Sequence, residues 1–380
     1  MSGPAKSIVT GTLMILGLAA CAPDAPAPSK PVVAAAPKPP TAVAVVAPTA
    51  PHQPAIAPSG TPVGQAINAA AAPTAPPNAA APTPTAATTD QRDRLIKVEV
   101  LLDRAHFSPG VIDGRGGDNL RRAILAFEAA HKLPATGQVD PGLWTALTAQ
   151  DAAPVVTDYT ISADDEKGPF IGKLPTDMKV MAKLAYMGFT NPLEGLAEKF
   201  HMDPALLKAL NPGVDFAAAG ATIVVAATGG APLAGPVTRI EVDKSTQQVR
   251  AFDAAGVLEA VYPATVGSQE RPAPSGEWAV RSVAKRPDYT YDPARLTFGK
   301  SKKVLTIPPG PNNPVGSTWI ALTKDTYGIH GAPDPSLVGK RASHGCVRLT
   351  NWDASQLGAA VKKGATVDFV GTETLAKTSA

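Results

Sequence analysis

Cysteine is nearly absent from this chain of 380 residues, which holds only Cys21, inside an apolar leader, and Cys346, near the C-terminus. A disulfide framework is therefore excluded, and Cys346 is left as a lone thiol. Charge imbalance is also missing: a net charge of +3 is too small to argue for a nucleic-acid partner. Long apolar runs are missing as well. The N-terminal run from Ile8 to Leu18 is about eleven residues, too short to span a bilayer by itself. The sequence has no P-loop, dinucleotide fingerprint, CxxC pair or HExxH helix, so no motif implies a cofactor or a metal.

What the sequence does have is the segment HGAPDPSLVGKRASHGCVRLTN, residues 330–351. A free thiol with a pKa of about 8.5 is only a few per cent ionised at neutral pH, so a nucleophilic cysteine needs a base or a cation beside it. His330 and His344 are the candidates. His330 ends an apolar stretch, Trp319–Leu322 and then Tyr327–Ile329, that reads as a strand pair. The turn-rich segment Gly331–Lys340 can bring Cys346 back beside His330, and closing a loop of that length costs little entropy. Gly345 permits close approach of a carbonyl, and the backbone N–H groups at Gly345 and Cys346 are suited to an oxyanion. Val347 and Leu349 should anchor the segment in a core, and a helix capped near Asn351 and Asp353 should follow from Ala354 to Val361. Taken singly, a cysteine is most often a small buried hydrophobe and a loop histidine a surface residue. Two histidines and a cysteine are also a zinc donor set, but no paired ligand spacing accompanies them.

Through His330, Gly331, Ser343, Gly345, Cys346, Arg348, Leu349 and Asn351 the segment resembles the signature of the L,D-transpeptidase catalytic domain. The likeness extends from about Pro236 to Val370 and takes in Val266-Gly267, Pro274-Ser275-Gly276 and the loop Pro308–Gly316. The resemblance implies cysteine acyl transfer on peptidoglycan stem peptides. Cys346 would attack the amide before a terminal D-Ala, and an amine would then take the acyl group, giving a 3-3 cross-link or attachment to a protein acceptor. In that reading His330 activates the thiol and carries the proton, while Ser343, His344 and Gly345 shape the oxyanion loop. Arg348 either binds a substrate carboxylate or makes a structural ion pair. An envelope lipoprotein that binds the wall without catalysis is the alternative from another class. A carboxypeptidase or cross-link hydrolase, with water in place of the amine, is the alternative within the enzyme class.

Further toward the N-terminus the chain divides by composition. Residues 1–20 read as a signal peptide, with Lys6 before the apolar run. Leu18-Ala19-Ala20-Cys21 resembles a bacterial lipobox, which implies lipidation of Cys21, anchorage to a membrane and, with Ala22 following, an outer-membrane lipoprotein facing the periplasm. The other reading is an ordinary signal ending in A-x-A. Residues 21–89 are Pro/Ala-rich and aromatic-free, which predicts an extended tether reaching roughly 200 Å at about 3.1 Å per residue. Residues 90–150 show helical periodicity at Leu95, Val98, Leu102 and Ala105 and at Leu120, Ala123, Ile124 and Phe127. With Ile112-Asp113-Gly114, Thr136-Gly137 and Trp144 they resemble a small all-α peptidoglycan-binding domain, although that family usually has Gln where Glu128 stands. Residues 155–227 resemble a LysM-like α+β glycan-binding module with an insertion around Met178–Met187, and a family-specific spacer is the competing reading. Residues 235–371, with strand patterns at 239–243, 248–252, 257–261, 277–283 and 366–370, predict a mainly antiparallel β catalytic domain. His106, His131 and His201 have no neighbouring acid or thiol pattern and read as packing or surface residues, and His52 lies in the tether.

Overall fold

The Pro/Ala-rich stretch expected to be a continuous tether contains a docked helix, α1 (Pro62–Ala69). Thr61 caps it, its Oγ1 accepting from Gly64 N at 3.1 Å, and Pro62 takes the first turn, where its missing N–H costs nothing. Ile67 is fully buried, and Asn68 Oδ1 accepts from the backbone N–H groups of Val155 (2.8 Å) and Val156 (3.1 Å). The tether reading is thus corrected at 56–74. Such a composition cannot build its own core, but Ile67 and Asn68, with Ser59 and Gly60 on Asp158 and Lys97 on the carbonyls of Asn68 and Ala70, dock it on a core supplied by other residues.

The computed structural model describes residues 56–74, 88–229, 232–267, 272–294, 301–340 and 345–372, within one unit spanning Ala44–Ala380. The leader with Lys6 and Cys21, His52, most of the tether, and Ser343 and His344 lie outside the described residues. No helix among the described residues is long and apolar enough to cross a membrane.

Three helices, α2 (Thr89–Arg104), α3 (Asp118–Ala130) and α4 (Pro141–Gln150), fill the expected helical segment. Glu128 explains its departure from Gln. Its buried carboxyl accepts from Thr136 Oγ1 (2.6 Å) and Gly137 N (2.9 Å), fixing the turn into α4 from the core side. Strand β1 (Val156–Thr160) follows, then two short helices in the insertion, α5 (Ala163–Lys167) and α6 (Met178–Met181). The helices α7 (Pro192–Lys199) and α8 (Pro204–Leu210) come next, and β2 (Thr222–Ala226) pairs antiparallel with β1. Asp203 caps α8 as expected, and Asn211 ends it while bonding both edges of Val224.

The helical domain and the module after it share one hydrophobic core, so the boundary drawn between them at residues 150–155 is not a break in packing. Val98, Leu102 and Phe127 join Leu207 and Val224 in a cluster that continues to Phe252 and Val261 of the C-terminal domain. Segments of some 60 residues bury too small a fraction of their surface to be robust alone, which favours fusion. Arg104 staples the junction, donating to Ala227 O (2.6 Å), Pro154 O (2.5 Å) and Asp151 (3.0 Å).

The C-terminal domain comprises, among the described residues, β3 (Val237–Asp243), β4 (Gln248–Phe252), β5 (Leu258–Pro263), β6 (Thr265–Val266), β7 (Gly276–Lys285), β8 (Tyr289–Tyr291) and β9 (Leu305–Ile307). After these come β10 (Thr318–Leu322), β11 (Gly328–His330), β12 (Val347–Arg348), α9 (Asn351–Ala360) and β13 (Val361–Val370). The main sheet runs β5-β4-β3-β13-β7-β10-β11-β12-β6 and is mostly antiparallel, with parallel pairs at β3/β13 and β11/β12. The long strand β7 joins its halves, pairing with β13 through Gly276–Ala279 and with β10 from Val280 onward. The cap of α9 is Thr350, one residue before the expected Asn351; Thr350 Oγ1 accepts from Asp353 N at 3.1 Å.

Where α9 meets the helical modules, buried ionisable groups crowd together. Burial pushes Asp353 up to about 7, with Asp103 adding to the effect, and burial pushes Glu198 up to about 8 although Asn351 Nδ2 donates to it (2.9 Å). His201 is not remote from acids, contrary to expectation. It pairs with Asp103 at 3.2 Å and stacks on Trp352 at 4.8 Å, and Asp103 raises it against the opposing effect of burial.

Two outcomes follow. Ile67→Ala should lower unfolding stability by about 2–4 kcal/mol, measured by chemical denaturation; an extended tether would make the change neutral. Asp353 and Glu198 have higher pKa values folded than unfolded, so their stabilising contribution is full below about 4 and lost as pH rises through about 7 and 8. Asp353→Asn should therefore flatten the fall in Tm between pH 5 and 8, read by calorimetry.

Candidate active site

The site begins with strand register. β11 and β12 run parallel, pairing Ile329 with Val347 and His330 with Arg348. Strand alternation then sends Ile329 and Val347 into the buried core, while His330 and Arg348 share the opposite face with Cys346, which precedes β12. Val347 and Leu349 are buried, so the segment that follows the thiol is anchored in the core as expected. Cys346 is half-buried and outside any disulfide, and its Sγ donates to Thr326 O at 3.6 Å.

His330, Cys346 and Arg348 all line one chamber of about 550 Å³. Its wall includes Tyr289, Trp319 and Tyr327, none of which the motif had marked as a site residue. Trp319 pairs with His330 across β10 and β11 and stacks on its ring, centroids 5.5 Å apart, which fixes the imidazole plane. His330 Nδ1 lies 2.6 Å from Gly331 O. A carbonyl only accepts, so Nδ1 carries the ring proton and Nε2 keeps its lone pair. Gly345, at φ 107°, holds a conformation that L side chains rarely adopt, and a Cβ there would press on Tyr327 at 3.3 Å.

The electrostatics set the state of the imidazole. Burial, then the nearby Arg348 charge, hold His330 down at about 3 despite the Gly331 carbonyl, so the ring is neutral at physiological pH. A standing imidazolium is therefore not the cation beside the sulfur. Arg348 lies on the same face: burial lowers its own pKa, while Cys346 and then Tyr289 act to raise it. The motif leaves Arg348 to a substrate carboxylate or a structural pair; two residues from Cys346, it shares the face of the thiol by strand alternation.

Flanking segments brace the chamber. The loop 331–340 contributes Ala332, Asp334 and Leu337 to the wall and is held by Asn119 Nδ2 donating to Val338 O (2.8 Å) and by Gly339 N donating to Thr265 Oγ1 (2.8 Å). Asn351 works as a tie: its Oδ1 accepts from Ser317 N (2.9 Å) and its Nδ2 donates to Pro311 O (3.1 Å), fixing the loop 308–316. Ser343 and His344 fall outside the described residues. No cluster of three His, Cys, Asp or Glu side chains suited to a metal occurs among the described residues.

Two family models match segments of the chain. Residues 237–369 match the family described as L,D-transpeptidase catalytic domain, and residues 91–147 match "Putative peptidoglycan binding domain". The chain is 28% identical over 182 residues to "Putative L,D-transpeptidase YkuD" of Bacillus licheniformis, covering 47% of this chain and 92% of that protein. It is 28% identical over 192 residues to "Probable L,D-transpeptidase YbiS" of Escherichia coli K12, covering 48% of this chain and 61% of the relative. Among solved structures, L,D-transpeptidase 3 from Mycobacterium tuberculosis aligns with a TM-score of 0.30 at 19% identity, over 36% of this chain and 62% of that one.

If Arg348 is the cation facing the sulfur, Arg348→Gln should raise the pH midpoint of Cys346 alkylation by iodoacetamide by about one unit or more. An unchanged midpoint would remove Arg348 from that role.

Proposed function

We propose, from the premise that the chain carries an L,D-transpeptidase catalytic domain at 237–369 and a peptidoglycan-binding domain at 91–147, that Cys346 is the acyl carrier of a peptidoglycan transpeptidase. The observation that carries the reading is the parallel register of β11 and β12, which puts thiol, imidazole and guanidinium on one chamber face.

In this reading Cys346 Sγ attacks the carbonyl carbon preceding the terminal D-Ala of a tetrapeptide stem, guided by the Arg348 charge. Backbone N–H groups at Gly345 and Cys346 take the oxyanion. The thiol proton passes by way of His330 Nε2 to the departing nitrogen. Burial and Arg348 both penalise imidazolium, so the ring relays the proton instead of storing it. The C–N bond breaks, D-Ala leaves, and a thioester remains on Cys346. An acceptor amine attacks the thioester, its proton returns through His330 to sulfur, and a new amide closes the cycle. The acceptor is a second stem peptide, giving a 3-3 cross-link, or a protein amine. Water in its place gives the carboxypeptidase or cross-link hydrolase outcome.

The helical domain at 91–147 would hold the enzyme on the glycan, with the 155–227 module as a further LysM-like contact. The lipobox-like string ending at Cys21 would anchor the chain as an outer-membrane lipoprotein in the periplasm, a reading supported by the leader's composition alone.

The test is incubation of the purified soluble protein with disaccharide-tetrapeptide, scoring D-Ala and dimer. Wild type should release D-Ala and form dimer, Cys346→Ala should do neither, and His330→Gln should be slower by roughly 10²–10⁴-fold. A Cys346→Ala variant that restores envelope integrity in cells would support the non-catalytic lipoprotein instead.

A further inference from the structure

The chamber is not built by the catalytic domain alone. Leu174, Thr176, Met178 and Met181, all from the insertion between β1 and α7, form part of its wall, and α6 packs against β9. The root of the insertion is locked to the catalytic loop 308–316. Met187, fully buried, donates its N–H to Pro309 O (2.8 Å), and its carbonyl accepts from Asn312 N (3.0 Å). Asn312 Nδ2 also donates to Gly188 O (3.0 Å) and Glu194 Oε1 (2.9 Å). Gly310, at φ 146°, lies so close to the Met187 backbone that a Cβ would overlap its carbonyl, so the contact depends on glycine. Sequence distance hides all of this, because the insertion lies more than a hundred residues before the loop it grips.

The residues that the insertion offers to the chamber carry no charge and no titratable group. They cannot serve as acid, base or carboxylate partner. What they can do is pack against methylene groups and displace water, and an unbranched thioether side chain adapts to an extended aliphatic ligand. No residue of α6 is fully buried, and Met178 and Met181 are half-buried, which leaves part of their surface available to a ligand in the chamber.

Resting on the transpeptidase reading above, we propose that Met178 and Met181 are specificity-determining residues that set the partition of the Cys346 thioester between amine and water. In both branches the thioester C–S bond breaks and sulfur regains its proton. Amine attack forms a C–N bond and an amide; water attack forms a C–O bond and leaves a carboxylic acid, which ionises. The insertion wall favours the first branch by packing on the aliphatic chain that carries the acceptor amine and by narrowing the space open to solvent.

The experiment uses the soluble protein with defined disaccharide-tetrapeptide and measures the ratio of hydrolysed tripeptide to cross-linked dimer by mass spectrometry. This ratio is counted per thioester consumed and so does not depend on how fast the thioester forms. Met178→Ala with Met181→Ala should raise the ratio by about threefold or more, whereas the volume-conserving pair Met178→Leu with Met181→Leu should keep the wild-type ratio. Near-ultraviolet circular dichroism establishes that each variant is folded, and Thr176→Val supplies a second probe of the same wall should the double alanine variant unfold; it should hold or lower the ratio. An unchanged ratio in the alanine variant, an equal shift in the leucine variant, or a raised ratio in Thr176→Val overturns the proposal. If wild type releases no D-Ala at all, the transpeptidase reading itself fails, which is a different result from a normal D-Ala yield with an insensitive partition.

Discussion

The parallel pairing of β11 with β12 is the constraint on which the site depends. One register, Ile329 opposite Val347 and His330 opposite Arg348, sends two apolar side chains to the core and turns Cys346, His330 and Arg348 together toward the chamber. A slip of β12 by one residue would reverse its faces, putting Arg348 into hydrocarbon and Val347 into the chamber. The cost of burying an unpaired charge makes that slip prohibitive, so the same hydrophobic pattern that closes the core also assembles the chemistry.

Around that pair the rest of the molecule acts as bracing. Trp319 sets the ring plane from β10, Asn119 on α3 holds the loop 331–340, and Asn351 at the start of α9 ties the loop 308–316 while reaching Glu198 on α7. The modules before the catalytic domain are thus part of its support. The continuous core from Ile67 through Phe127 and Val224 to Val261 makes the same point in apolar contacts. Inside the chamber burial and then the Arg348 charge keep His330 neutral, while burial lowers the pKa of Arg348 against the opposing effects of Cys346 and Tyr289.

Much of this was legible in the sequence because it is local. The His-Gly and Gly-Cys pattern around residues 330 and 346, the strand pair Trp319–Ile329, the helical periodicity of 90–150 and the Asp203 cap each depend on neighbours a few residues away. What was not legible depends on distant partners. Ile67 looks like an accident of composition until the core of α2 and β1 is present to receive it. His201 finds its acid about a hundred residues away in sequence, where Asp103 lies 3.2 Å from its ring. His330 is visible in the motif as a partner for Cys346, whereas its depression by burial and then by Arg348 arises only when β11 and β12 are paired.

The most direct measurement of the central claim is intact-protein mass spectrometry, with peptide mapping, of wild-type enzyme mixed with disaccharide-tetrapeptide in the absence of acceptor. The account predicts an adduct equal to the donor less alanine, located on the peptide that contains Cys346 and removed by hydroxylamine as a thioester is. An adduct on any other residue, or D-Ala release without an adduct from a Cys346→Ala protein, would contradict it.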